Sequence, residues 1–426
     1  MDSLSDELLR IILGFVSAEA CILLRAVSRQ WRGVIDGAPH LWRGGVSRTN
    51  ILDELYRCCE AGDFARVRWL VAILGTGGSC DGYRSRRAVR HTMELACAYG
   101  HLHIAQWIAG AFGLTAENYC LNDGAALITA CADGRGNVAA WLVDTFPKDI
   151  AGNESDAALT AACEGGHFEV ARWLVARFGR AGRHHIAYIG ILRLTAAAGH
   201  LEMAMWAADV FELTPEDARE QNNAALTAAC ECGQLHVARW LVAAFGLTAK
   251  DARAAHNKAL RLAAAGGHLH VAVWLATTFG LTIADARADS NHALRVACAN
   301  GHFAVVKWLA TSFDLRREDA IAKSNQALRH ACAKGHLKIA QWIADRFQLS
   351  AADARTYGGE ALRMACRQGH LDVVQWLVEH FDLGAGDTLN EALREAYAGG
   401  NPSTARWLVS RFGLAAVNVE AARPAA

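Results

Sequence analysis

Residues 291–313 read NHALRVACANGHFAVVKWLATSF, and residues 325–347 repeat the pattern as NQALRHACAKGHLKIAQWIADRF. Eleven tryptophans mark the copies, at positions 69, 107, 141, 173, 206, 240, 274, 308, 342, 376 and 407. Five consecutive intervals, from Trp206 to Trp376, are each 34 residues long. A fixed period of this length is typical of one supersecondary unit stacked along a line. The sequence therefore predicts a repeat solenoid.

Each copy predicts two antiparallel helices joined by a glycine turn. Apolar residues recur at helical spacing before Gly301 and again after it, up to Phe313. A glycine stands seven residues before every one of the eleven tryptophans, which predicts a positive φ at the end of the first helix. The tryptophans lie on the apolar stripe of the second helix, so we expect them to pack into the core rather than to stack on a ligand.

Polar residues predict how the helices begin. Asparagines precede the first helix and are expected to act as N-caps: Asn223, Asn257, Asn291, Asn325 and Asn390. Capping-box patterns follow the second helix at Thr214-x-x-Asp217, Thr248-x-x-Asp251, Thr282-x-x-Asp285 and Ser350-x-x-Asp353. We therefore expect a short third helical turn between repeats.

The pattern A-C-x-x-G-H-L-x-V-A-x-W-L resembles the A-A-x-x-G-H-x-x-V-V-x-x-L core of the ankyrin repeat, over about residues 50–415. The family's T-P-L-H opening is N-x-A-L-R here, and its Gly-Ala-Asp hairpin region is F-G-L-T-x-x-D-A-R. The resemblance implies an all-α helical solenoid of about eleven ankyrin-like repeats, and we expect a helical connection in place of the β-hairpin. We assign residues 45–92 to a capping repeat with an inserted loop, 93–415 to the repeat array and 416–426 to a flexible tail.

A separate module precedes the array, within residues 1–44. LSDELLRIILGFVSAEACILLRAVSRQWRGVIDGAPHLWR, residues 4–43, resembles the F-box, which docks on the Skp-type adaptor of a cullin-based ubiquitin ligase. The resemblance assigns this contact to Leu4, Leu8, Ile12, Val27, Trp31, Leu41 and Trp42. Ser5 replaces the usual proline, and Ala20-Cys21 replaces the usual Asp-Leu. Two alternatives stay open: the helices only cap the solenoid, or the F-box is vestigial and the chain is a plain interaction scaffold.

Bulk composition narrows the function classes. Lys plus Arg equals Asp plus Glu, 43 each, so the basic excess typical of nucleic-acid binding is absent, and no apolar run is long enough to span a membrane. No phosphate loop, H-E-x-x-H or G-x-S-x-G motif occurs, and we predict a non-enzymatic monomer without a cofactor. We expect it in the cytoplasm. The N-terminal F-box, the Ala/Arg-rich repeats and the W-L-x-x-x-F-G-L-T pattern also resemble ankyrin proteins of giant DNA viruses of amoebae. This resemblance implies a host ligase and residence in the host cytoplasm or nucleus.

Recurring cysteines and histidines suggest chemistry that the repeat explains more simply. Eight cysteines stand ten residues before a tryptophan, where other copies have alanine, so we expect small buried sites rather than disulfides. Five copies contain Cys-x-x-x-His, a spacing that occurs in half of a zinc site. A glycine separates the two residues, however, and we interpret the histidine as a turn residue bonded to the backbone. The Asp-Ala-Arg copies are interpreted as caps and inter-repeat ion pairs.

Two further sets are candidates for binding a target protein. An arginine recurs at one repeat position of the first helix, at Arg193, Arg261, Arg295, Arg329, Arg363 and Arg394, interrupted by Thr227. This arginine row either ties neighbouring repeats together or forms a positive stripe for an acidic partner segment. Residues that vary just before the glycine are the second set: Tyr99, Asp133, Cys232, Asn300, Lys334 and Gln368.

Overall fold

A computed structural model describes residues 48–75, 91–114, 124–146, 153–179, 185–383 and 387–414. The regular secondary structure of these ranges is helical, which confirms the all-α prediction. Contacts divide the chain into two compact units, Met1–Arg183 and His184–Ala426. The predicted F-box module, most of the inserted loop and the predicted tail lie outside the described residues.

Helix pairs build the described part of the first unit. They are Arg48–Ala61 with Phe64–Gly75, 91–98 with Leu102–Ala111, Ala125–Ala132 with Gly136–Thr145, and Asn153–Glu164 with Phe168–Phe178. In each pair the apolar stripes face one another. Leu127 and Cys131 of one first helix, for example, are fully buried, and so is Leu142 of its second helix.

The second unit continues the same pattern in seven described pairs. They are His185–Ala198 with Leu201–Val210, Pro215–Glu231 with Leu235–Phe245, Ala254–Ala265 with Leu269–Phe279, Ala288–Ala299 with Phe303–Ser312, Ala322–Ala333 with Leu337–Phe347, Thr356–Gln368 with Leu371–Phe381, and Asp387–Ala398 with Pro402–Phe412. Four-residue helices link several pairs, at Ala249–Ala252, Ile283–Ala286, Arg317–Ala320 and Ala351–Ala354. These confirm the predicted third helical turn.

The glycine of one repeat makes room for the histidine of the next. Gly267 has φ +76°, and a Cβ added to it would lie 2.7 Å from Cε1 of His302, which belongs to the following repeat. His302 Nε2 donates a hydrogen bond to the carbonyl of Ala265 at 2.8 Å. Glycine is therefore required for two reasons: the backbone is left-handed, and a Cβ would collide with the imidazole of the next repeat. His101 and His336 make the same bond, which confirms the predicted backbone-bonded turn residue at three of the five Cys-x-x-x-His copies.

The asparagine prediction is wrong. Asn257 is not an N-cap: it is the third of three consecutive residues with φ between +49° and +59°, and it is buried. Its Nδ2 donates to the carbonyl of Asp285 in the next repeat at 3.4 Å. Asn223 and Asn325 have the same conformation and also donate to a backbone carbonyl of the next repeat. Asn291 has the same conformation but donates to the carboxylate of Asp319, and Asn390 lies inside the helix Asp387–Ala398. Asparagine is favoured both at N-caps and in left-handed turns, so its identity alone does not distinguish the two.

The cysteines and tryptophans differ in burial. All eight repeat cysteines are fully buried, as predicted: Cys59, Cys97, Cys131, Cys163, Cys230, Cys298, Cys332 and Cys366. Burial raises the pKa of the Cys97 thiol to about 12, which makes it inert. The tryptophans from Trp107 onward are half-buried, and those from Trp240 to Trp407 pack against the core, as expected. Trp240, for example, packs edge-to-face on Phe245 with ring centroids 5.8 Å apart.

Candidate interaction surfaces

Aspartates at the linking helices join neighbouring repeats. Asp285 accepts hydrogen bonds from the backbone N–H of Thr282 at 2.8 Å and from its hydroxyl at 3.1 Å. It also pairs with Arg253 of the preceding repeat, at 2.8 and 3.2 Å. Burial alone would raise the pKa of Asp285, but the bonds from Arg253 and Thr282 outweigh it and hold the pKa below its ordinary value. The Asp-Ala-Arg copies are thus caps and inter-repeat ion pairs, as predicted.

One repeat makes this ion pair with a different arginine. The usual position holds Ile321, which cannot pair with Asp353 of the next repeat. Arg317, four residues earlier, reaches Asp353 Oδ2 at 2.5 Å instead. The ion pair is therefore retained although the sequence pattern is broken.

The arginine row holds the left-handed turns. Arg295 donates from Nε to the carbonyl of Ser290 at 2.8 Å and from Nη2 to the carbonyl of Asp289 at 2.9 Å. Its Nη1 donates to Gln326 of the next repeat. Arg261, Arg329 and Arg363 bond the equivalent carbonyls, those of Ala255, Ser324 and Lys323, and Tyr357.

Carboxylates of the following repeat form ion pairs with Arg261, Arg329 and Arg363 of the row. Arg261 Nη1 lies 2.8 Å from Asp289, Arg329 contacts Glu360, and Arg363 Nε lies 3.6 Å from Glu391. These contacts give the row the inter-repeat role, one of the two roles that the sequence pattern left open. Arg193 and Arg394, at the two ends of the row, are exposed.

Positive charge nevertheless dominates around the middle of the row. Burial, and then Arg261 and Arg295, lower the pKa of His292, although Asp289 lies 3.0 Å from its Nδ1. Burial and Arg329 likewise lower the pKa of His330, with further contributions from Arg295 and Lys334. Burial and the surrounding cations thus favour the neutral form of two histidines on this face.

The second set of predicted target contacts lies at the ends of first helices. Tyr99 is 45% exposed, and Asp133, Cys232, Asn300, Lys334 and Gln368 are also exposed. Asn300 additionally donates from Nδ2 to the carbonyl of Ala265 at 2.8 Å. All of these positions are accessible to a partner, and their side chains differ from one repeat to the next.

One exposed aromatic residue was not predicted from the sequence. Tyr357 is 64% exposed and occupies the first position of a left-handed turn, with φ +52°. The guanidinium of Arg329 lies over its ring, 4.8 Å from the centroid. The sequence did contain a signal for this residue, because the same position in other copies holds a non-aromatic residue: Gln221, Ala255, Asp289 and Lys323.

The F-box residues Leu4, Leu8, Ile12, Val27, Trp31, Leu41 and Trp42 lie outside the described residues. Across the described ranges, no group of three or more His, Cys, Asp or Glu side chains is placed to hold a metal ion. Of the helices that the structure describes, none combines the length and the apolar character that crossing a bilayer requires.

Comparison with protein families agrees with both resemblances, to ankyrin repeats and to the F-box. A model of ankyrin repeats in three copies matches residues 93–181, 294–388 and 328–420, which together span more than half of the chain. A model of the F-box domain matches residues 1–42. No curated protein gives a significant match. With its Gly-His turns and paired helices, the chain belongs to the ankyrin-repeat family and carries an F-box domain.

Proposed function

We propose that this protein is the substrate-recruiting subunit of a cullin-type ubiquitin ligase. The F-box docks on a Skp-type adaptor, and the ankyrin array binds the protein to be modified. The observation that carries the proposal is the presence of both domains on one chain. Together they would bring a target to the ligase, so the chain contributes effective concentration rather than an acid, a base or a nucleophile.

The first experiment measures adaptor binding by the full-length chain. Purified protein is immobilised and titrated with a Skp-type adaptor. The double variant Trp31→Ala, Leu8→Ala should weaken binding by at least about 30-fold, since a buried interface anchor contributes about 2 kcal/mol or more. The matched control is Lys307→Ala, an exposed position on a second helix of the array, which should bind normally. Unchanged binding by the double variant would refute the docking.

A second experiment separates the ligase from the alternative, an interaction scaffold with a vestigial F-box. Ser5 and Ala20-Cys21, where the F-box pattern is broken, favour that alternative. Proximity labelling identifies proteins captured by the wild-type chain and by the Trp31→Ala, Leu8→Ala variant. Under the ligase proposal both chains capture the same proteins, but only the wild type raises their ubiquitination. Equal ubiquitination with both chains would refute the ligase proposal and favour the interaction scaffold.

The target-binding surface is proposed to lie on the first helices and the turns that follow them. Tyr99, Asp133, Asn300, Lys334 and Gln368 offer exposed side chains that differ between repeats. The arginine row contributes charge next to them. We propose that the chain is a monomer. Because its repeats resemble those of giant-virus ankyrin proteins, we also propose that it works with the host adaptor and cullin in the host cytoplasm or nucleus.

A further inference from the structure

One face of the second unit concentrates positive charge. We define the basic face by the cations of the first helices and turns between residues 258 and 334: Lys258, Arg261, Arg295, Lys323, Arg329 and Lys334. Two of the six cations, Arg261 and Arg329, pair with the carboxylates Asp289 and Glu360, which leaves an excess of four positive charges. The chain as a whole has no net charge, so this excess is a local feature.

Internal bonds do not cancel the charge of this face. Arg295 is held by two backbone carbonyls and by the neutral side chain of Gln326. Asp289 is shared between Arg261 and His292. Lys323 and Lys334 are exposed, and no ion pair of theirs is found among the described residues. A partner with negative charge would therefore gain attraction here without first breaking the contacts of the repeat.

The spacing of the charges favours one backbone conformation in the partner. Between residues 258 and 334 the row places one arginine on each first helix, and neighbouring packed helices lie about 8–10 Å apart. A polyproline II segment has three residues per turn and rises about 3.1 Å per residue, so every third side chain points the same way about 9 Å farther on. In a β-strand, residues three apart point to opposite faces. A polyproline II segment thus matches one carboxylate to each repeat.

An exposed aromatic ring lies at the end of the face. Tyr357 is 64% exposed and stacks on Arg329. Grooves that bind proline-rich segments are lined by aromatic side chains. The segment is already a polyproline II helix before binding, so it loses little entropy. The ring and the charge row are adjacent through Arg329, so one segment can contact both.

We propose that the basic face binds an acidic polyproline II segment of a partner protein, with Asp or Glu at every third residue and proline between them. The inference rests on the proposed function in that it names the class of target segment. The carboxylates face the arginine row and Lys258 and Lys334, and proline rings pack on Tyr357.

Two peptides of equal composition test the spacing. One has Pro-Pro-Glu repeated over about twelve residues, and the other has the same residues with all glutamates contiguous. Binding to the full-length chain is measured by fluorescence anisotropy at low and high salt. The spaced peptide should bind at least about tenfold more tightly, and added salt should weaken it. Equal affinity of the two peptides, or binding of neither, would overturn the proposal.

Variants of the face test the site itself. Lys258→Glu with Lys334→Glu should weaken the spaced peptide by about tenfold or more, and Tyr357→Ala by about fivefold. Lys307→Glu with Lys338→Glu, which reverses two exposed lysines of second helices, is the control and should bind normally. None of the four lysine side chains takes part in the inter-repeat bonds of the arginine row, and thermal unfolding verifies that each variant folds. Unchanged binding by the face variants would assign the peptide to another surface.

Two controls test whether the face is selective and whether it acts independently of the F-box. A single-stranded oligonucleotide bound as tightly as the spaced peptide would show a general polyanion surface and overturn the proposal. Adaptor binding through the F-box is measured on the same variants. If the adaptor binds but the spaced peptide does not, the basic-face proposal fails while the ligase proposal stands. If the peptide binds but the adaptor does not, the reverse holds.

Discussion

Gly267→Ala provides a direct test of how the repeats are joined. A left-handed φ costs an L-residue about 1–2 kcal/mol, of which about 0.4–1 kcal/mol is offset because alanine restricts the unfolded chain. The new Cβ would also force the imidazole of His302 away from its bond to the carbonyl of Ala265. A lost hydrogen bond costs about 0.5–1.5 kcal/mol, and the lost packing adds to it. We expect a total of about 2–4 kcal/mol.

Gly280→Ala is the matched control for this substitution. Gly280 also has a positive φ, +57°, but a Cβ there would meet nothing within 4 Å. Its expected cost is only the backbone term, about 1 kcal/mol. Any difference between the two variants therefore measures the clash with the next repeat rather than the left-handed conformation.

Hydrogen exchange in the full-length chain is the suitable assay, because repeat arrays need not unfold in one step. Exchange of the amides near Gly267 gives the local opening free energy, and urea unfolding gives the global loss. Adding His302→Ala to Gly267→Ala should cost less than the two single losses together, since the clash is removed. Equal losses at Gly267 and Gly280, or strict additivity with His302, would refute the proposed joint.

Three further predictions concern aspartates and cysteines. Asp319→Ala should destabilise by about 2–4 kcal/mol in urea unfolding, because it leaves Arg287, the Asn291 amide and the backbone N–H of Arg316 without their acceptor. Asp345→Ala, at an exposed ion pair 4.0 Å long within a helix, should change stability by less than about 0.5 kcal/mol. The folded pKa of Asp285 lies below its ordinary value of 3.8, so the stability that its carboxylate contributes is present above pH 3.8 and is lost as the pH falls through the folded pKa. Asp285→Asn should flatten this pH dependence of stability in an acid titration. An unchanged profile would contradict the prediction. A maleimide should label Cys232, which is exposed, and leave Cys298 unlabelled in the native protein; peptide mapping that finds both modified at similar rates would disprove the burial.

The sequence was sufficient for the glycine turn, the capping box and the small buried site of each repeat. The glycine seven residues before Trp308 predicted the turn, and Thr282-x-x-Asp285 predicted the cap, because both are local hydrogen-bond patterns. The alternation of Cys298 with alanine predicted a small buried site. In each case the side chain acts on backbone only a few residues away or fills its own repeat.

Features that depend on the next repeat were harder to predict. Asn257 donates to a carbonyl 28 residues later, and no local signal distinguishes this role from an N-cap. The partners of Arg295 likewise become identifiable only when neighbouring first helices are placed side by side. The replacement of the usual arginine by Arg317 would be read from sequence as a lost ion pair. These three features were hard to predict for the same reason: the periodic pattern fixes positions but not the contacts between neighbouring repeats.

The last repeat separates the two reasons for glycine. Above Gly369 the usual histidine is replaced by Asn401, whose Nδ2 donates to the carbonyl of Arg367 at 2.6 Å. Gly400 has φ +71°, yet a Cβ there would meet no described atom within 4 Å, because no described repeat follows Phe412. The glycine is nevertheless present, so the left-handed turn alone is enough to require it, and the contact with the following repeat is an additional constraint. The left-handed turn and the contact with the following repeat are therefore separate constraints on this position, the first local to one helix–turn–helix and the second set by its neighbour.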